Sequence, residues 1–232
     1  AGAANAASPV TIQVGFENTN EEPIGQAVEK WAELVEEQSG GTMKLELFAN
    51  SALGSKSELI DQMVMGENII TIADGAFYAD YGLPDMGILY GPFFFDTWED
   101  VWTLLDSDWY ADECEKLKEK GLTILASNWI YGERELMTKS KVVTPADIKG
   151  KKIRLASSQE VAKYILMTGH IKNFTTWCIG TDFLNTLSAE QQELLYSTAE
   201  EAGLYNNELQ EQADGEYRQM LVDAGVEITE LT

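Results

Sequence analysis

The strongest constraint on the fold is the alternation of strand and helix signals through residues 10–73. Val10, Ile12, Val14 and Phe16 alternate with Thr11, Gln13 and Gly15, the period of two that a strand requires. Asn20, Glu21, Glu22 and Pro23 supply a cap, two first-turn acids and an early proline for a helix. Ile24, Ala27, Val28, Trp31, Leu34 and Val35 then recur at helical spacing along one face. Gly40 and Gly41 end that helix, and Met43–Phe48 reads as a second strand. Ser55 with Glu58 forms a capping box ahead of Leu59, Ile60, Met63 and Val64, and Gly66 stands where a terminating glycine belongs. Ile69–Ala73 is short, apolar and β-branched, suited to a buried parallel strand. Strand–helix–strand–helix–strand implies an α/β layer with right-handed crossovers.

The remainder departs from that rhythm. The spacing predicts one helix over residues 97–120, opened by Thr97 and stopped by Gly121, then a strand at 122–127. Residues 133–138 and 151–155 read as further strands separated by the turn Thr144-Pro145-Ala146-Asp147, so the chain is expected to enter a second lobe near Ser127. Ser188 and Gln191 make another capping box. From there apolar positions recur through Leu194, Leu195, Ala199, Ala202, Leu209, Ala213, Met220 and Leu221, a helix of about 50 Å at ~1.5 Å per residue. It is long enough to run across two small lobes, with Gly203 and Gly215 as places to bend and Gly225 as its stop. Residues 226–229 return as a strand. Residues 1–9, rich in Ala, read as a disordered tail.

Composition narrows the function classes. The chain has 232 residues and a formal net charge of −23, so nucleic acid and anionic membrane surfaces are poor partner candidates, and no nucleic-acid partner is expected. No run approaches the ~20 apolar residues of a membrane-spanning helix. The small residues of the tail are expected to be what remains after an export signal is removed, a cytosolic tail or a cloning scar being the alternatives. Cys114 and Cys178 are too few for a disulfide framework; they read as two buried thiols, with one bridge between them left open.

A search for chemistry returns little. His170 is the one histidine, so a catalytic Ser–His pair or a multi-histidine metal site would have to be built around it alone; it reads as a turn or packing residue. No Gly-x-Ser-x-Gly elbow and no phosphate-cradling glycine loop follows a strand. Residues 106–112 imitate a calcium loop, but the sixth position lacks glycine and Leu117 stands at the twelfth. No catalytic residue, metal or cofactor is expected.

The order of several segments is more specific than any one of them. Val-Gly-Phe at 14–16, Trp-Ala-Glu-Leu-Val-Glu-Glu at 31–37, Ser-Gly-Gly at 39–41, Ala-Leu-Gly-Ser at 52–55 and Glu-Leu-Ile-Asp-Gln at 58–62 follow in turn. Tyr131-Gly132-Glu133-Arg134, then residues 145–154 (PADIKGKKIR), then Thr168-Gly169-His170 and Leu187-Ser188-Ala189-Glu190-Gln191-Gln192 complete the series. This resembles the substrate-binding proteins of TRAP transporters, the tripartite ATP-independent uptake systems. The pattern departs from that family in two places: some 50 residues usually follow the Arg154 strand, whereas here Gln159 runs directly into Glu160, and the family's stretch beyond residues 226–229 is absent. We therefore expect a missing segment there and another after residue 232.

The resemblance implies a two-lobed α/β fold of the periplasmic-binding-protein kind, with mixed sheets flanked by helices and one long helix spanning both lobes. Residues 10–126 and about 174–212 would form lobe 1; residues 127–173 and about 213–232 would form lobe 2. It implies a monomeric extracytoplasmic receptor that captures a small carboxylate between the lobes and hands it to TRAP membrane subunits; lipid anchoring stays open. In the family, an arginine at the Arg154 position grips the ligand carboxylate with paired hydrogen bonds, a geometry the planar guanidinium suits and lysine cannot copy. Arg134 matches a second such position, a surface ion pair being the alternative for each. Family contacts from the first lobe map to Phe16, Glu17 and Asn18 after the first strand, and to Asp74, Gly75 and Phe77 after the third. Glu17 and Asp74 suggest a ligand bearing hydroxyls or an amine, unless they only cap helices. Trp129 and Tyr131, with Trp177, would wall the cleft or belong to lobe core. The rival readings are a ligand-sensing domain, a binding protein of an ATP-driven importer, and an enzyme acting on a small acid.

Overall fold

A computed structural model describes residues 9–150 and 164–230. Its strands form one six-stranded mixed sheet, ordered β2-β1-β3-β5-β4 with β6 on the free side of β5. β1 (Val10–Gly15), β2 (Met43–Phe48) and β3 (Ile69–Ala73) are parallel, as the opening alternation requires. Helices α1 (Pro23–Gln38) and α2 (Lys56–Val64) are the crossovers. Every residue of β3 is buried, which explains why its sequence is an unbroken apolar run rather than an alternating one.

Ser55 caps α2 through the expected reciprocal box with Glu58. The start of α1 differs from expectation. Glu22 occupies the cap position without a side-chain cap bond, and its Oε2 instead accepts from Asn18 Nδ2 at 2.6 Å. The single helix expected over 97–120 is two helices, α4 (Trp98–Leu105) and α5 (Asp108–Glu119). Ser107 breaks it by capping α5, its Oγ accepting from Tyr110 N–H at 3.3 Å. Ser prefers that role to a helix interior because its hydroxyl competes for backbone groups. Between β3 and α4 lie α3 (Gly75–Asp80) and a 3-10 turn at Pro84–Tyr90.

The two separate strands expected at 122–127 and 133–138 are one, β4 (Leu122–Thr138), paired antiparallel with β5 (Tyr164–Gly180). Four irregularities interrupt their register, between Ile124 and Ala126, Ala126 and Trp129, Ile130 and Gly132, and Arg134 and Leu136. Extra residues of this kind bend and twist a strand, so β4 changes direction without ending. One end of β5 pairs with β3, the other with β6 (Glu227–Glu230). These long strands therefore belong to both ends of the molecule. The strand expected at 151–155 lies outside the described residues.

Helix α7 (Ala189–Asp223) is continuous over 35 residues. Gly203 lets β4 approach: a Cβ there would meet the Asn128 side chain at 2.4 Å. Two asparagines of α7 stitch helix to strand. Asn206 Nδ2 donates to Ile130 O, Asn207 Oδ1 accepts from Ile130 N–H, and Asn207 Nδ2 donates to Asn128 O, each at 2.8 Å. They satisfy backbone groups that the bulged ladder leaves over, which burial would otherwise penalise. Trp31, Trp129 and Trp177 fill the core beneath, with Trp129 and Trp177 edge to face at 5.2 Å.

Candidate functional site

Where β1 and β3 end, the chain turns toward the middle of β4 and β5. Ligands in open α/β sheets bind at such carboxyl-terminal strand ends. A cavity of about 50 Å³ sits there, lined by Glu17, Lys56, Asp74, Tyr90, Tyr131, Arg134, Asn173 and Thr175. Its volume is little more than that of one or two waters, so the walls are nearly in contact.

Arg134 comes from β4. Its guanidinium Nη2 donates to the Tyr90 hydroxyl and stands 5.1 Å from the centre of the Tyr90 ring. Its Nε is buried and has no hydrogen-bond partner among the described residues. Burial raises the Tyr90 pKa; Arg134 works against that rise, while Asp74 and Glu17 add to it. These four charged or polar side chains thus share one electrostatic environment.

Each of the two carboxylates is half committed. Asp74 caps α3, its Oδ1 accepting from Ala76 N–H at 2.9 Å and Phe77 N–H at 3.4 Å. Glu17 Oε1 forms an ion pair with Lys56 Nζ at 2.8 Å and accepts from the Tyr131 hydroxyl at 3.1 Å. Asp74 Oδ2 and Glu17 Oε2 have no partner among the described residues. Lys56 is further held over the Phe77 ring, 5.2 Å from its centre. Burial, followed by the Glu17 charge, pushes the Tyr131 pKa upward, so this hydroxyl stays protonated and remains a donor.

The sequence-derived candidates divide accordingly. Glu17, Asp74, Tyr131 and Arg134 meet at the cavity. Asn18 lies behind Tyr131, donating from Nδ2 to its hydroxyl at 3.1 Å, and Phe77 supports Lys56. Phe16 and Trp129 do not reach the cavity. Phe16 packs edge-on to Trp177, and fully buried Trp129 donates its indole N–H to Ala199 O at 3.0 Å. For Trp129, the core alternative therefore describes its position. Gly75 serves packing, since a Cβ there would lie 2.2 Å from Met86 O. Arg154 lies outside the described residues. His170 packs against Phe93 and bonds Thr168 through Nδ1. Both cysteines are free thiols.

Sequence reasoning missed Lys56, Tyr90, Asn173 and Thr175. Lys56 carried a signal: it is the only basic residue between Lys44 and Lys116. Asn173 carried none. It is 8% exposed on β5, opposite Gly132, and its side-chain amide makes no hydrogen bond among the described residues. Only the pairing of β5 with β4 brings it to the cavity.

Comparison with known proteins identifies the family. The family described as bacterial extracellular solute-binding protein, family 7, matches residues 14–159 and 156–232. The 2,3-diketo-L-gulonate-binding periplasmic protein of Escherichia coli (strain K12) is 26% identical over 94% of this chain and 80% of its own. That alignment runs over 265 positions, more than the 232 residues present here, so part of the relative has no counterpart in this chain. The C4-dicarboxylate-binding protein of Bacillus subtilis (strain 168) is 32% identical over 69% of this chain, which spans 45% of that protein. A solved TRAP periplasmic solute-binding protein from Ochrobacterium anthropi, with bound L-fuconate, superposes with a TM-score of 0.88 and 31% identity, covering 97% of this chain and 89% of its own. The two-lobed α/β fold expected from the sequence is the fold of that protein. Matched along nearly its whole length, the chain belongs to family 7 of the bacterial extracellular solute-binding proteins.

Proposed function

We propose that this protein is the extracytoplasmic receptor of a TRAP-type transporter, and that it captures a sugar acid between two lobes without altering it. The reading rests on one observation above all: the arginine on β4, with an unpaired buried Nε, shares a cavity with two carboxylates on the facing strand ends. A guanidinium suits a ligand carboxylate, and half-free carboxylates suit ligand hydroxyls. The relatives known to bind L-fuconate and 2,3-diketo-L-gulonate carry this combination of groups on their ligands.

In this reading residues 127–173 and about 213–232 move against residues 10–126 and about 174–212. β4, β5 and α7 connect the two parts, and the irregular register of β4 supplies the flexure. Ligand bound to both walls favours the closed arrangement by the difference in its affinity for the two states. The closed form is then recognised by membrane subunits. Arg154, given this role by the family resemblance, would add a second guanidinium.

Isothermal calorimetry against L-fuconate, 2,3-diketo-L-gulonate and their neutral lactones tests the proposal. Binding of an acid but not its lactone is expected, together with an unchanged ligand recovered after incubation. Absence of binding to any sugar acid, or turnover of a bound one, would overturn it.

A further inference from the structure

The cavity carries a charge arrangement that constrains the ligand more narrowly than the presence of a carboxylate. Its described walls hold two acids, Glu17 and Asp74, and two cations, Lys56 and Arg134. Lys56 is already engaged, bound to Glu17 at 2.8 Å and stacked over Phe77. Its side chain is 15% exposed, so it serves mainly to hold Glu17 in place. Arg134 is the cation with a donor to spare.

The acceptors follow the ends of β1 and β3, whereas Arg134 comes from β4. Asp74 Oδ1 is spent on the start of α3 and Glu17 Oε1 on Lys56 and Tyr131, which leaves one oxygen of each without a partner among the described residues. An unpaired carboxylate oxygen accepts hydrogen bonds and donates none. A ligand hydroxyl placed there gives each oxygen a donor. A second ligand carboxylate placed there sets lone pair against lone pair, and like charges in a closed, poorly screened cleft repel strongly.

We propose that the Glu17–Lys56 pair, together with Asp74, makes this cleft select polyhydroxylated monocarboxylates and reject dicarboxylates of the same carbon chain. The ligand's acid end lies toward Arg134 and its hydroxylated tail toward Glu17 and Asp74. Selectivity then comes from an electrostatic penalty on the wrong ligand as much as from contacts with the right one. The inference rests on the receptor reading above and deepens it; a dicarboxylate-binding relative shares the family but is not required to share this pair.

Matched acids that differ only at the terminal carbon provide the test: galactonate against galactarate, and gluconate against glucarate. Calorimetry on the full chain is expected to give at least tenfold tighter binding of the monocarboxylate in the pair that fits. Glu17→Gln keeps the shape but removes a charge and leaves Lys56 unpaired, so the preference should fall at least tenfold through a gain in dicarboxylate affinity. Lys56→Met should weaken both acids, and adding Glu17→Gln to it should restore monocarboxylate binding in part. A purely structural role for the pair would move both ligands together and leave their ratio fixed. An unchanged ratio in Glu17→Gln, or equal affinities in the wild type, overturns this inference while leaving the receptor reading intact. Failure of all four acids, and of L-fuconate and 2,3-diketo-L-gulonate, removes both.

Discussion

The Tyr90 hydroxyl accepts a hydrogen bond from the Arg134 guanidinium, and the Tyr90 ring lies 5.1 Å from its central carbon. This contact joins the turn after α3 to the middle of β4 and fixes where the site's unpaired cation points. Arg134→Lys keeps the charge but loses the planar fork. It is expected to weaken sugar-acid binding by roughly tenfold or more with little change in melting temperature. Tyr90→Phe keeps the ring and loses one bond to a charged group. A fall of about tenfold in affinity is expected, since such bonds contribute ~1.5–3 kcal/mol. Calorimetry on the two single variants and the double variant measures the coupling; additive losses would show that Tyr90 does not act through Arg134.

Asp74 has two jobs that substitution can separate. Asparagine caps helices about as well as aspartate, so Asp74→Asn should fold normally yet bind the sugar acid more weakly, because its side chain no longer presents a charged acceptor. Asp74→Ala should lose the cap as well, at a further cost of ~1 kcal/mol of stability. Urea unfolding and calorimetry, run on both variants, distinguish the two effects. Equal stability of the two variants would mean that the cap contributes nothing.

Gly203 lies where α7 meets β4, with the Asn128 side chain in the space a Cβ would fill. Gly203→Ala is therefore expected to destabilise the protein by about 1–3 kcal/mol, despite alanine's better helix propensity. Gly215, with nothing within 4 Å of its virtual Cβ, is the control. Gly215→Ala should stabilise by up to ~1 kcal/mol. Thermal unfolding of the pair checks both signs.

Alkaline stability reports on the buried thiol. Burial pushes the Cys178 pKa from 9.0 up to about 12. The folded state then keeps a proton that the unfolded chain releases. The associated stability is complete below pH 9 and is lost as pH rises toward 12. Tyr78, also raised by burial, adds to the loss above pH 10. Cys178→Ser, which does not titrate, should reduce the slope of unfolding free energy against pH in that window by on the order of 1 kcal/mol per pH unit. An unchanged slope would place Cys178 in contact with solvent.

Local chemistry alone made the first α/β layer, its crossover helices and the long helix from Ser188 legible, because apolar period and capping residues act within a few positions of each other. The resemblance to a known family, rather than local chemistry, pointed to Glu17, Asp74, Tyr131 and Arg134. Three features escaped: the break at Ser107, the continuity of β4, and the roles of Lys56, Tyr90, Asn173 and Thr175. Ser107 could have been read as a cap, but the apolar spacing on either side masked it. The other two depend on partners far off in the chain, such as Tyr90 for Arg134 and Glu17 for Lys56.

The amino-acid sequence determined which segments become strands and helices and how acidic the surface is, since those follow from side-chain period, caps and charge. Only the tertiary structure decided which polar groups face one another across the cavity. Pairing β5 with both β3 and β4 brings Asn173 and Arg134 to the strand ends that carry Glu17 and Asp74. No local rule encodes that meeting, because it depends on strand register between residues far apart in the chain.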